Sequence, residues 1–216
     1  MRKTLLFDLD GTLLNTLEDL RDSTNFALRT YDYPERSLEE VRRFVGNGLK
    51  RLLTRAGPQS SSEAEIERAL ACMKAHYCKN YHNKTVPYPG IPELLHALAE
   101  RGLKLAVLSN QPDADTKNVI SHFFPDVPFS VVRGPVEGVP VKPEKAGALL
   151  VAEQLGIAPA DFLYLGDTKV DMTCACSAGM NPVGVLWGFR TAQELLDNGA
   201  KVLIAHPMEL LEKFNL

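Results

Sequence analysis

No stretch of the 216-residue chain carries the run of about 20 apolar residues that crosses a bilayer, so no membrane partner is expected. The apolar start Thr4-Leu5-Leu6-Phe7 is cut by Asp8, too early for the apolar region of a secretory signal, and a cytoplasmic location is expected. Lysine and arginine form no long run and the net charge is −3, so no basic stripe is offered and nucleic acid is not an expected partner. Cysteine is scarce. Cys72, Cys78, Cys174 and Cys176 lack C-x-x-C spacing, which argues against a zinc knuckle or redox pair and reads as small buried residues in a reducing compartment. His76, His82, His96, His122 and His206 share no metal-ligand spacing and are assigned no function. Trp187, the only tryptophan, stands next to Gly188 and is read as packing. There is no internal repeat, and Ser60-Ser61-Ser62 is the only short low-complexity loop.

What is present is an ordinary globular balance, 45% hydrophobic and 24% charged, at a length that holds an α/β core plus a modest insertion. Apolar and β-branched runs predict strands at 4–7, 104–108, 129–132, 162–165, 182–186 and 201–204. Most are continuous rather than alternating, as strands covered on both faces must be. Helical segments separate them. One over 91–101 has Pro92 in its first turn and Gly102 after its last, and another follows Pro143 and closes at Gly156. The alternation from about residue 85 onward predicts a doubly wound, Rossmann-like parallel sheet formed by residues 1–14 and 85–216. Residues 15–84 break it with helical patterns only, and carry capping boxes at Ser37–Glu40 and Ser62–Glu65. An all-helical insert placed there would overhang the carboxyl edge of the sheet as a lid, or cap.

Chemistry gathers at the strand ends. In Asp8-Leu9-Asp10-Gly11-Thr12 the period of two sends Asp8 and Asp10 to the same side. Two carboxylates about 4 Å apart repel by a few kcal/mol at an effective dielectric near 20, which calls for a cation between them. Mg2+, with its preference for carboxylate, water and phosphate oxygens, suits that place. Asp167 and Asp171 arrive from another strand end, in Gly166-Asp167-Thr168-Lys169-Val170-Asp171. Ser109-Asn110 offers a hydroxyl and amides to phosphoryl oxygens, and Lys142, before Pro143, supplies the positive charge that a phosphate would need beside so many acids.

These four segments, in this order, resemble the four motifs of the haloacid dehalogenase superfamily. The helical insert, Tyr88-Pro89-Gly90-Ile91 and the loop Gly46-Asn47-Gly48 resemble its phosphoglycolate phosphatase-like branch. The resemblance implies a Mg2+-dependent phosphatase acting on a small phosphorylated metabolite. Asp8 would be the nucleophile and a metal ligand, forming an aspartyl-phosphate. Asp10 would be the acid and base, its backbone carbonyl reaching the metal. Thr12 and Ser109 would hold phosphoryl oxygens, with help from the amides of Gly11 and Asn110. Lys142 would neutralise charge, Asp167 would bind the metal directly, and Asp171 would do so directly or through water. Gly46, Asn47 and Gly48 would select substrate, although a plain helix–helix turn accounts for them equally well. Lys50, Arg51 and Arg55 read as a solvated helical face. Asn15 stands where the branch often has an acid, and Thr168 where serine is more usual; neither touches the chemistry.

A sugar-phosphate mutase would share these motifs and return the phosphoryl group to the sugar. A phosphonate hydrolase would need a Schiff-base lysine in the cap, and none stands out. A receiver-like signalling module is shorter and carries its acceptor aspartate in mid-chain, whereas Asp8 lies on the first strand. Intact Asp8, Asp10, Lys142 and Asp167 argue against a silent binding protein. The substrate is open among phosphoglycolate, sugar phosphates, nucleotides and pyrophosphate, and the assembly between monomer and homodimer.

Overall fold

The computed structural model describes residues 4–216. Six strands, β1 (Thr4–Phe7), β4 (Leu105–Leu108), β5 (Phe129–Arg133), β6 (Phe162–Gly166), β7 (Asn181–Val185) and β8 (Val202–Ile204), form one sheet in the order β5-β4-β1-β6-β7-β8. Every neighbouring pair is parallel. Helices α5 (Ile91–Glu100), α6 (Asp113–Phe123), α7 (Ala146–Leu155), α8 (Lys169–Ala178), α9 (Ala192–Asp197) and α10 (Glu209–Phe214) alternate with the strands. The first strand lies near the middle, so the chain winds outward in both directions, the doubly wound arrangement expected from the alternation.

The continuous apolar runs have the cause anticipated for them. Leu6, Ala106, Tyr164 and Phe162 point to one face and join Ala148, Val151, Cys174 and Ala175 of α7 and α8 in one buried cluster. Leu5, Phe7, Val107 and Leu165, one residue out of phase, are equally enclosed on the other face. Of the four cysteines only Cys174 is interior. Cys72 is half-buried, and Cys78 and Cys176 are exposed on the outer sides of their helices, so the reading of all four as core residues is corrected for three. Among the described residues no helix is long and apolar enough to cross a membrane.

The chain divides into two compact units, one formed by the residues up to Leu14 with Pro87–Leu216, the other by Asn15–Val86. The second unit contains α1 (Leu17–Thr30), α2 (Leu38–Phe44), α3 (Leu49–Ala56) and α4 (Glu63–Asn80). Both expected capping boxes form: Ser37 and Ser62 accept from the N–H groups of Glu40 and Glu65, whose carboxylates reach back to the serine N–H groups. α4 buries Ala69, Leu70, Met73 and Tyr77, a single stripe at helical spacing. The buried Asp19 carboxylate of α1 accepts from Lys84 N, Thr85 N and Thr85 Oγ1, fastening the unit's last residues to its first helix. Two short strands, β2 (Leu14–Asn15) and β3 (Val86–Pro87), pair where the chain passes from one unit to the other, and were absent from the helix-only reading of this stretch.

Candidate active site

The parallel ladder continues one bond beyond β1: Asp8 N–H donates to Leu165 O at 2.9 Å. This sets Asp8 beside the end of β6, where Asp167 follows the strand and Asp171 occupies the first turn of α8. Oxygens of Asp8, Asp167 and Asp171 all lie within 4.8 Å of one another, and all three residues are buried. Lys142 enters from the segment between β5 and α7. Its Nζ donates to Asp8 Oδ1 (2.6 Å), Asp171 Oδ1 (2.7 Å) and Leu108 O (2.9 Å). An ammonium has three protons, and all three are used.

The remaining carboxylate oxygens differ in what they offer. Asp171 Oδ2 accepts from Thr168 N and Oγ1, closing a capping box at the start of α8, so both of its oxygens are engaged. Asp167 Oδ2 accepts from Phe189 N at 2.7 Å, while its Oδ1 is enclosed with no hydrogen-bond partner among the described residues. Three buried acids against one ammonium leave an excess of negative charge. Burial, reinforced by Asp171 and only partly offset by Lys142, raises the Asp8 carboxyl from its ordinary 3.8 to about 7. Burial, with Asp171 and Asp8, pushes Asp167 well above the carboxylate range. Burial alone would pull the Lys142 ammonium down, but Asp171 and Asp8 outweigh it and hold it above its ordinary 10.5. An orphaned carboxylate oxygen beside under-compensated acids is a set of hard oxygen donors that fits a divalent cation such as Mg2+.

Asp10 is not part of this cluster. Its two oxygens accept from Gln111 Nε2 at 2.7 and 2.8 Å. Ser109, at the end of β4, is 2% exposed, and its hydroxyl accepts from Gln111 N, leaving its own proton available to donate. The Asn110 side chain brackets the Lys142 backbone, donating to Lys142 O and accepting from Lys142 N, both at 3.1 Å. One expectation for the phosphate contacts is corrected. The Gly11 N–H is committed to Leu14 O (2.8 Å), closing the turn after Asp10. Thr12 is fully enclosed, and its hydroxyl has no hydrogen-bond partner among the described residues.

Sequence reasoning missed two contributors. Gln111 was passed over although it adjoins Ser109-Asn110. The segment after β7 was read as packing, yet Phe189 binds Asp167 and Trp187 Nε1 donates to Thr12 O at 3.0 Å. Gly188 permits this approach, since a Cβ there would collide with Asp167 Cβ and Gly11 O. Gly46, Asn47 and Gly48 lie in the helical unit, in the turn before α3. Gly46 and Gly48 have φ of 124° and 81°, and Arg55 ties the turn to α3 by donating to Asn47 Oδ1 and Phe44 O. Arg55 is thus engaged locally, and Lys50 is paired with Glu63 and Glu67.

Residues 5–185 match the model of the haloacid dehalogenase-like hydrolase family. A protein of Mannheimia succiniciproducens named phosphoglycolate phosphatase is 32% identical over 98% of this chain and 95% of its own. One from Haemophilus influenzae with the same name is 33% identical over 87% of each. A crystal structure of a predicted phosphoglycolate phosphatase from Haemophilus somnus superposes with a TM-score of 0.91 at 30% identity, covering 99% of this chain and 98% of that one. The match spans Asp8, Lys142 and Asp167, and the chain belongs to the haloacid dehalogenase-like hydrolase family.

Proposed function

We propose that this chain is a Mg2+-dependent phosphatase of small phosphate monoesters, working through an aspartyl-phosphate on Asp8, with phosphoglycolate the first substrate to test. One observation carries the reading: Lys142 grips Asp8 through Oδ1 alone, inside a cluster where three buried acids outnumber the one ammonium among them. The grip leaves Oδ2 to attack phosphorus as the ester P–O bond breaks. Asp10 gives its proton to the departing alkoxide, then takes one from the water that attacks the aspartyl-phosphate, releasing inorganic phosphate and restoring Asp8. Lys142, with its three protons spent, fixes the nucleophile's rotamer and screens it from Asp171. Ser109 donates to a phosphoryl oxygen, and Asn110 acts indirectly by holding Lys142. Mg2+ would be held by Asp8, Asp167 and the backbone carbonyl of Asp10, with Asp171 contributing directly or through water, and when bound supplies positive charge to the phosphoryl oxygens. The unit Asn15–Val86 is the cap, and its Gly46-Asn47-Gly48 turn takes part in selecting substrate. The names and identities of the relatives support phosphoglycolate as first choice.

The test is phosphate release from a panel containing p-nitrophenyl phosphate, phosphoglycolate, sugar phosphates, nucleotides and pyrophosphate. Turnover is expected to stop with chelator, return with Mg2+, and vanish in Asp8→Asn. Turnover that survives chelation or the Asp8→Asn change rejects the mechanism. Isomerised product carrying the label with little free phosphate would replace it with a mutase.

A further inference from the structure

Asp8 and Asp10 leave the chain two residues apart, yet they are held by different partners. Asp8 belongs to Lys142; Asp10 belongs to Gln111, which comes from the end of β4, 101 residues away. One amide nitrogen donating to both oxygens fixes the direction in which the carboxylate faces as well as its position. Gln111 is itself pinned. It is 3% exposed, its N–H donates to Ser109 Oγ (3.0 Å), and its carbonyl accepts from Thr116 Oγ1 (3.1 Å). Holding a long, rotamer-rich side chain against Asp10 gives up conformational entropy that solvating a half-exposed acid would not require. A lysine or arginine at this place would also hold Asp10, but would bring a cation against the group that must keep and release a proton. An amide orients without adding charge.

We propose that Gln111 is a positioning residue that holds the Asp10 carboxylate in the orientation from which it exchanges a proton with the leaving group. The inference rests on the phosphatase reading above, with Asp10 as acid and base. The step it serves is balanced: Asp8 forms a bond to phosphorus, the ester P–O bond breaks, its electron pair stays on the departing oxygen, and that oxygen takes the Asp10 proton. A misplacement of this donor matters in proportion to how much the leaving group needs the proton. An alkoxide needs it; p-nitrophenolate departs without it.

The test compares kcat/KM, which reports the steps through formation of the aspartyl-phosphate, for p-nitrophenyl phosphate and for the best alkyl phosphate of the panel. In Gln111→Met the alkyl ester is expected to lose at least about tenfold and the nitrophenyl ester less than about threefold. In an Asp10→Asn background the same change is expected to add almost nothing on either ester. Equal losses on the two esters, or losses that multiply with Asp10→Asn, would overturn the inference. Should the methionine variant fail to fold, Gln111→Glu keeps the shape and replaces the donor with a group that repels Asp10. The same selective loss is expected there, and an equal loss overturns the inference as before. Wild-type protein that turns over no alkyl phosphate rejects the phosphatase reading and this inference together. An active wild type with a dead Asp8→Asn and equal losses at Gln111 rejects this inference alone.

Discussion

Replacing Asp8, the proposed nucleophile, is expected to stabilise the protein while abolishing its activity. In the metal-free fold the Asp8 carboxyl is raised from 3.8 to about 7 by burial first and by Asp171 second. Between those two values the folded chain binds a proton that the unfolded chain has released, so stability falls as pH rises and the loss is complete above about pH 7. A displacement of about three units corresponds to roughly 4 kcal/mol at pH 8. Asn keeps an acceptor for Lys142 without the charge, and the attraction of Lys142 for the carboxylate is already included in that displacement, so the gain is about 4 kcal/mol. In a chain of this length each kcal/mol moves Tm by about 2–4 °C, so Asp8→Asn is expected to melt about 8–16 °C above wild type at pH 8 in chelator. At pH 5 the wild-type residue carries its proton in the fold, and the gap should shrink to roughly 40% of that. Mg2+ should close it from the other side by stabilising wild type. Thermal melts by circular dichroism at the two pH values, with and without Mg2+, measure all of this. An Asn variant that melts below wild type at pH 8 in chelator, or a gap indifferent to pH, would refute the account of an acid cluster short of positive charge.

Two further changes probe the supports of the site. Gly188→Ala drives a methyl group into Asp167 and the Gly11 carbonyl, so we expect about 1–3 kcal/mol of destabilisation and a higher Mg2+ concentration for half-maximal activity, read by melting and metal titration. Asn110→Ala removes both bonds to the Lys142 backbone; it should cost about 1–3 kcal/mol in stability and lower kcat more than it alters KM for p-nitrophenyl phosphate.

How legible each part was follows from the range of the interaction that made it. The core strands were read to within a residue because a strand buried on both faces, such as Leu105–Leu108, must be apolar at every position. The capping boxes at Ser37 and Ser62 were read because the two partners stand three residues apart. β2 and β3 were missed because two residues carry no periodicity, and their pairing depends on a partner far along the chain. Asp8 and Asp167 stood out because charge at the end of an apolar strand is anomalous in itself, and Lys142 because a phosphate beside so many acids calls for a cation. Gln111 and Phe189 did not, since a glutamine before a proline and a backbone N–H are unremarkable until folding brings Asp10 and Asp167 to them. Gly11 was placed wrongly for a related reason. Extended geometry was carried past Asp10, where Gly11, at φ 84°, turns the chain back on Leu14.

Asp8, Ser109, Lys142 and Asp167 come from four separate excursions of the polypeptide, and none has its neighbours until the central strands are aligned side by side. No excised fragment can therefore retain a weakened version of the centre. Catalytic competence should appear in a single late event during refolding, and a truncation or frameshift anywhere before the sixth strand should erase it in full rather than by degrees.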